Sequence, residues 1–242
     1  MLTPVLLPGL DGTGDLFAPF LAAAPQGLHP VVVDYPTGEG SVAVLKQRVL
    51  ERLVHNCVVI AESFSGPIAV HIASDPRVRA LVLCNSFISS PVSPALRHLV
   101  LAPMFGLPLP GLIIRRLLLG PNVDPSLIDL ARSAIRRVPM TVMAQRLRQT
   151  LQSDGRETAR SLARPILYLR GINDNLLSEC SWRDLHATRP DAQIVRIGGP
   201  HLLLQASPRE CWQAILHFIA ETGDTKNENK VPIGFARRSD GC

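Results

Sequence analysis

Two stretches constrain this chain more than any others. Asn56 to Ala61 (N-C-V-V-I-A) and Val78 to Cys84 (V-R-A-L-V-L-C) are apolar at nearly every position. A strand with one face in water alternates apolar and polar residues. A strand that is apolar throughout must be covered on both faces, which is the situation of a parallel sheet flanked by helices. Helical periodicity lies between such runs. Val44, Leu45, Val49, Leu50 and Leu53 recur at helical spacing within Ser41 to His55. The alternation predicts an α/β fold, a mostly parallel sheet of about six strands with helices on both faces.

The expected strands are Thr3 to Leu7, Pro30 to Tyr35, Asn56 to Ala61, Val78 to Cys84, Pro165 to Leu169 and Gln193 to Ile197. The expected helices of this framework are Ser41 to His55, Gly66 to Ala73, closed by Asp75-Pro76, and about Pro208 to Ala220. The stretch between the fourth and fifth strands breaks the rhythm. It opens with prolines at 91, 94, 103, 108 and 110 and then reads as helices. A loop of that length needs structure of its own, and a lid over a site is the usual reason. Residues 1–90 and 161–221 are therefore assigned to the core, 91–160 to a helical cap, and 222–242 to a polar, mobile tail.

Five cysteines, at 57, 84, 180, 211 and 242, form no C-x-x-C pair. An odd, scattered set fits reduced thiols in a cytoplasmic protein, with Cys57 and Cys84 as small core residues. No His and Cys cluster has metal-ligand spacing, so neither a metal nor a cofactor is expected. No run has the length of a membrane span, because Leu99 to Ile114 is short and interrupted by Pro103, Pro108 and Pro110. The first residues lack the basic segment of a signal peptide. The formal charge of +5 is uneven, since residues 91–160 hold ten arginines against four acids. Phe105 is the lone aromatic there, which argues against a stacking surface for nucleic acid. A solvated helical face is the plain explanation of the arginines.

The stretch A-E-S-F-S-G, residues 61 to 66, follows the third strand and opens a helix. At the carboxyl end of a parallel strand, a serine on a sharp turn is placed for chemistry, with small neighbours at Ala61 and Ser65. Serine is also a common helix N-cap. The remaining loops favour chemistry. A serine hydroxyl needs a histidine to take its proton and a carboxylate to orient the imidazole. Asp174 follows the fifth strand in R-G-I-N-D, and His201 follows the sixth in G-G-P-H. His71 and His217 fall inside helices, and Asn85 lacks a carboxylate. Asp34, at the end of the second strand, offers no triad role. Glu62 is expected to make a surface or loop hydrogen bond, with a tuning of the field near His201 as the alternative. An oxyanion hole needs two backbone donors. Phe64 N–H would be one, and Leu10 N–H, in the glycine-rich loop L-L-P-G-L-D-G-T-G, the other. That loop matches neither a dinucleotide nor a Walker phosphate motif.

With these motifs in place, the chain resembles the α/β-hydrolase superfamily in its capped, esterase- and lipase-like branch, over roughly Thr3 to Ala220. The family's usual H-G after the first of these strands is Pro8-Gly9 here, and its G-x-S-x-G is A-E-S-F-S. Many members carry two further strands ahead of the oxyanion loop. The resemblance implies a serine carboxylic-ester hydrolase working through an acyl-enzyme, with Ser63, Asp174 and His201 catalytic. The Leu, Ile and Met content of the cap suggests an ester with an apolar acyl group. The arginine-rich cap is similar in charge to that of esterases that cleave pimeloyl-acyl-carrier-protein methyl ester. That likeness implies an acidic carrier protein docking at the cap, or a thioesterase or acyltransferase with the same triad. Two readings of a different kind are a non-catalytic ligand-binding module and attachment to an anionic membrane surface.

Overall fold

The computed structural model describes residues 2–92, 115–120 and 123–224. The six strands are β1 (Thr3–Leu7), β2 (Val31–Val32), β3 (Cys57–Glu62), β4 (Val78–Cys84), β5 (Ile166–Gly171) and β6 (Gln193–Ile197). Between and after them run α1 (Ala18–Ala22), α2 (Val42–Arg52), α3 (Gly66–Ile72), α4 (Pro125–Arg136), α5 (Met140–Gln152), α6 (Arg156–Ser161), α7 (Cys180–Thr188), α8 (Leu203–Ala206) and α9 (Pro208–Asp224). A short π-helical turn covers Arg115–Leu119. The sheet order is β2-β1-β3-β4-β5-β6, and every pairing is parallel.

Alternate residues of β3 enter opposite layers, as the two-residue period of a strand requires. Cys57, Val59 and Ala61 join the layer containing Val49, Ile68 and Leu185. Val58 and Ile60 join the layer containing Phe20, Leu204 and Trp212. Trp212 stacks on Phe20 with ring centroids 4.2 Å apart and donates its indole N–H to the Phe20 carbonyl at 2.8 Å. The continuous apolar runs are thus explained, since β3 is buried at all six positions.

The chain passes from β1 to β2 on one side, then returns to lay β3 against the other side of β1. The loops after β1 and β3 therefore diverge, and such a reversal opens the crevice of a parallel sheet. Residues 8–14 and Ser63 lie there.

Four of the six expected strands agree within a residue at either end. The second expectation, Pro30 to Tyr35, is cut to Val31–Val32. Val33 and Tyr35 are buried, yet their amides bond the carbonyls of Leu6 and Gly12 as the chain leaves the sheet. The fifth strand is longer than expected and ends at Gly171. The last helix continues to Asp224, three residues into the assigned tail, and 225–242 lie outside the described residues. The proline-rich start of the insertion, 93–114, also lies outside them.

Within the insertion, Asp124 caps α4, its carboxylate accepting from Ser126 N at 2.9 Å with Pro125 in the first turn. Leu119, Leu127, Ala131 and Ala134 pack with Leu16 and Leu202 of the core. Among the described residues no helix is long and apolar enough to cross a membrane. None of them form a cluster of His, Cys, Asp or Glu that could hold a metal ion.

Candidate active site

Ser63 stands at φ 48°, in the left-handed region that costs a residue with a Cβ. It sits between the last residue of β3 and the short 3-10 turn that leads into α3. The turn has a strict glycine, but at position 66. A Cβ on Gly66 would lie 2.0 Å from Ser86 Oγ and 2.5 Å from the Phe87 carbonyl. Ser86 Oγ in turn donates to the Ser63 carbonyl. Ala61 and Ser65 both fit, and the Ser65 side chain has a job of its own. It donates to the Pro8 carbonyl in the loop after β1 and accepts the Tyr35 hydroxyl at 2.7 Å.

The three residues expected to act together are brought together. His201 Nε2 is 2.9 Å from Ser63 Oγ, and His201 Nδ1 is 2.9 Å from Asp174 Oδ2. A carboxylate only accepts, so Nδ1 carries the ring proton and Nε2 is left to accept from the serine. Asp174 is held by its other oxygen, Oδ1, which accepts from Leu176 N at 2.8 Å and Leu177 N at 3.0 Å. The side chains of His201 and Asp174 are almost wholly buried, so this chain of bonds lies out of bulk water.

Asn85 joins the loops that carry these groups. Its amide donates to the carbonyls of Pro200 (2.9 Å) and His201 (2.8 Å) and accepts from Gly171 N (2.7 Å). The end of β4 thus ties the histidine loop to the aspartate loop. The sequence shows only that Asn85 cannot supply a carboxylate. Its φ of 40°, tolerated best by Asn and Gly, is not legible there.

The two expected oxyanion donors differ in what surrounds them. Phe64 is buried in the first turn after β3, where helix geometry leaves an N–H without an intrahelical partner. The Leu10 N–H donates to nothing among the described residues. The four carbonyls around it are all occupied. Pro8 accepts from Ser65 and Gly9 from Gly12 N (3.1 Å), while Leu10 and Asp11 accept from Arg146 Nη1 at 3.0 and 2.9 Å.

Glu62 departs from the expectation of a surface or loop bond. It is 1% exposed, and its Oε2 accepts from Gln205 Nε2 at 3.2 Å. Burial pushes its carboxyl up to about 8, the Gln205 bond opposes this, and the nearby Asp11 adds to it. Glu62 Oε1 and Gln205 Oε1 have no partner among the described residues. A proton on Glu62 would let the acid and the amide bond each other. The other sequence candidates stay outside the cluster. His71 bonds its own helix at Pro67, His217 pairs with Glu221 at the surface, and Asp34 pairs with Arg48.

The basic surface of the insertion is smaller than the arginine count suggests. Arg146 is fully buried, and Arg132, Arg137 and Arg156 pair with Asp129, Asp15 and Asp154. Arg97 lies outside the described residues.

A six-stranded parallel sheet, a serine on a left-handed turn after β3, and an aspartate and histidine after β5 and β6 define the α/β-hydrolase fold. The chain has that fold, and solved structures agree. It is similar to the enol-lactonase of Burkholderia xenovorans LB400, with a TM-score of 0.75 and 18% identity over 90% of this chain and 91% of that one. It is also similar to a thermophilic esterase from Thermogutta terrifontis (0.77, 20% identity, 92% and 90% covered). A bromoperoxidase from Bacillus anthracis is comparably similar (0.77, 16% identity, 91% and 92% covered). No protein-family model matches the chain, and no curated protein sequence matches it.

Proposed function

We propose that the chain is a serine-dependent carboxylic-ester hydrolase acting through an acyl-enzyme. The observation that carries this reading is the unbroken series Ser63 Oγ, His201, Asp174, with the serine on a left-handed turn. Ser63 attacks the acyl carbonyl as Nε2 of His201 takes its proton, and Asp174 stabilises the imidazolium. The carbonyl oxygen becomes an oxyanion and is held by the N–H groups of Leu10 and Phe64. His201 returns the proton to the leaving alcohol, and the acyl group stays on Ser63. Water, deprotonated by His201, then attacks the acyl carbonyl and releases the acid and the free serine.

An apolar acyl group is supported by the side chains near the histidine. Leu16, Leu119, Leu127 and Leu202 form one cluster, with Leu202 next to His201 in the chain. The described residues of the insertion, 115–120 and 123–160, would then form part of a cap over the site. An esterase and an enol-lactonase among the similar structures support an ester substrate.

The test is a panel of 4-nitrophenyl esters of increasing acyl length, run with wild type and Ser63→Ala, together with a fluorophosphonate label located by mass spectrometry. Turnover that depends on Ser63 and a label on Ser63 are expected. Equal rates in wild type and variant, or a folded protein whose Ser63 stays unlabelled, refute the reading.

A further inference from the structure

The Arg146 side chain is fully buried, yet it belongs to α5, a helix of the insertion. No carboxylate pairs with it among the described residues. Its charge is met by four peptide carbonyls from two loops of the core. Nη1 donates to Leu10 and Asp11, Nη2 to Pro36 at 2.7 Å, and Nε to Glu39 at 2.9 Å. The guanidinium carbon also stands 5.8 Å from the centre of the Tyr35 ring. We propose that Arg146 is the positioning residue of the oxyanion loop, so that a helix of the insertion sets the amide that would stabilise the reacting oxygen.

The carbonyls of that loop are occupied on both sides of the Leu10 amide. Arg146 holds two successive carbonyls, those of Leu10 and Asp11, and thereby fixes the backbone on the far side of the Leu10 amide. Ser65 holds Pro8 on the near side, and the Gly9 carbonyl closes a turn with Gly12. Every carbonyl from Pro8 to Asp11 is turned toward a donor, while the N–H groups of Gly9, Leu10 and Asp11 donate to nothing among the described residues, and Leu10 is the middle one of these. A preorganised donor is worth more than one that must reorient during the reaction, because its orientation is set before charge develops.

Two features around the loop fit the guanidinium. Gly12 has φ 72°, and a Cβ there would lie 2.6 Å from Arg146 Nη1 and 2.8 Å from Tyr35 Cβ. The loop thus leaves space for the arginine head. Tyr35, against which that head lies, donates to Ser65, so the two holds on the loop meet through one side chain. The arginine fork matches this arrangement, whereas a lysine ammonium presents its three donors from a single point. The helix that carries Arg146 is itself fastened to the core. Gln149 Oε1 accepts from Val42 N at 2.8 Å, and Gln145 packs on Gly40.

The inference rests on the ester-hydrolase reading, so its test has an arm independent of turnover. Arg146→Lys and Arg146→Met would be compared with wild type and Ser63→Ala in the full chain, at a temperature where thermal melts show each to be folded. The measurements are kcat and KM for 4-nitrophenyl butyrate, inhibition by an alkyl trifluoromethyl ketone, and amide hydrogen exchange.

A fall in kcat of about 10- to 100-fold with KM little changed is expected, with trifluoromethyl ketone affinity falling in parallel. Amides of residues 9–13 should exchange faster while those of β3 and β4 keep their protection. The lysine variant should lie between wild type and the methionine variant. Folded variants with wild-type kcat, or with unchanged exchange in residues 9–13, overturn the proposal. A lower melting temperature with unaltered kcat and ketone affinity assigns Arg146 to stability alone and also overturns it. A wild type without Ser63-dependent turnover refutes the hydrolase reading instead, and the exchange comparison still decides for or against the clamp.

Discussion

Replacing Glu62 by glutamine should make the protein more stable at alkaline pH, by an amount that depends on pH in a defined way. Burial raises the Glu62 carboxyl from an ordinary 4.5 to about 8 in the folded chain. In the unfolded chain it ionises near 4.5. Between those values the folded state holds a proton that the unfolded state has lost, so raising the pH favours unfolding. Below about 4.5 both states are protonated and the group is neutral in its effect. Above about 8 both are ionised and the full penalty is present. The interval of 3.5 units (8 − 4.5) corresponds to roughly 5 kcal/mol, an upper figure because the interior relaxes around a buried charge. The groups whose charges reach Glu62 are Asp11, Cys84 and Cys211. Burial pushes both thiols well up, which keeps them neutral across this range.

Glutamine has the shape of the protonated acid and can exchange amide bonds with Gln205. Urea unfolding of wild type and Glu62→Gln, every half unit from about pH 4 to pH 9, isolates the effect, since other titrating groups cancel in the difference. The two should be nearly equal at the acid end. The difference should then grow in favour of the variant by about 1.4 kcal/mol per pH unit and level off above about pH 8. Parallel stability curves would refute the claim that Glu62 is held neutral. A difference that grows toward acid would reverse its sign and show a carboxylate stabilised by partners.

Two further substitutions test the hydrogen bonds that support the site. Asn85→Ala leaves the Pro200 carbonyl and the Gly171 N–H without their partner and leaves the His201 carbonyl with Leu203 N alone, so a loss of about 3 kcal/mol in urea unfolding is expected, with reduced Ser63-dependent turnover. A loss under about 1 kcal/mol would mean that the two loops are held by other contacts. Ser65→Ala strands the buried Tyr35 hydroxyl and the Pro8 carbonyl and should cost about 1–3 kcal/mol. Tyr35→Phe in the same chain should recover part of that loss, and strictly additive losses in the double variant would show that the two groups do not interact.

What the sequence discloses and what it conceals divide along physical lines. The strands β1, β3 and β4 are legible because burial on two faces forces apolar residues into short, continuous runs, whereas β6, at the sheet edge with Gln193 and Arg196 exposed, is legible from its β-branched Ile194, Val195 and Ile197. Ser63, Asp174 and His201, proposed to act together, are legible because the loops at the carboxyl ends of parallel strands are where such groups gather, and each lies a few residues beyond a strand. The helix α7 has no such signature. Its buried positions are Ser181, Leu185 and Thr188, and only one of these is apolar. Tyr35 is buried for a reason other than strand pairing, since its ring packs against Phe64 and Arg146 after the chain has left the sheet.

Arg146 is the most instructive concealment. It lies four residues from both Val142 and Thr150, so it occupies the inward stripe of α5, where periodicity calls for an apolar side chain. A count of charge places it with nine other arginines on a basic face. An arginine in an inward slot instead asks which carbonyls could surround it, and here the answer is the loop after β1. The same logic applies to Glu62, an acid placed at the end of a wholly buried strand. Both residues break the apolar pattern of their own element, and both lie beside the groups proposed to act on the ester. A charged residue out of phase with its helix or strand therefore carries more information about the site than the net charge of the segment that contains it.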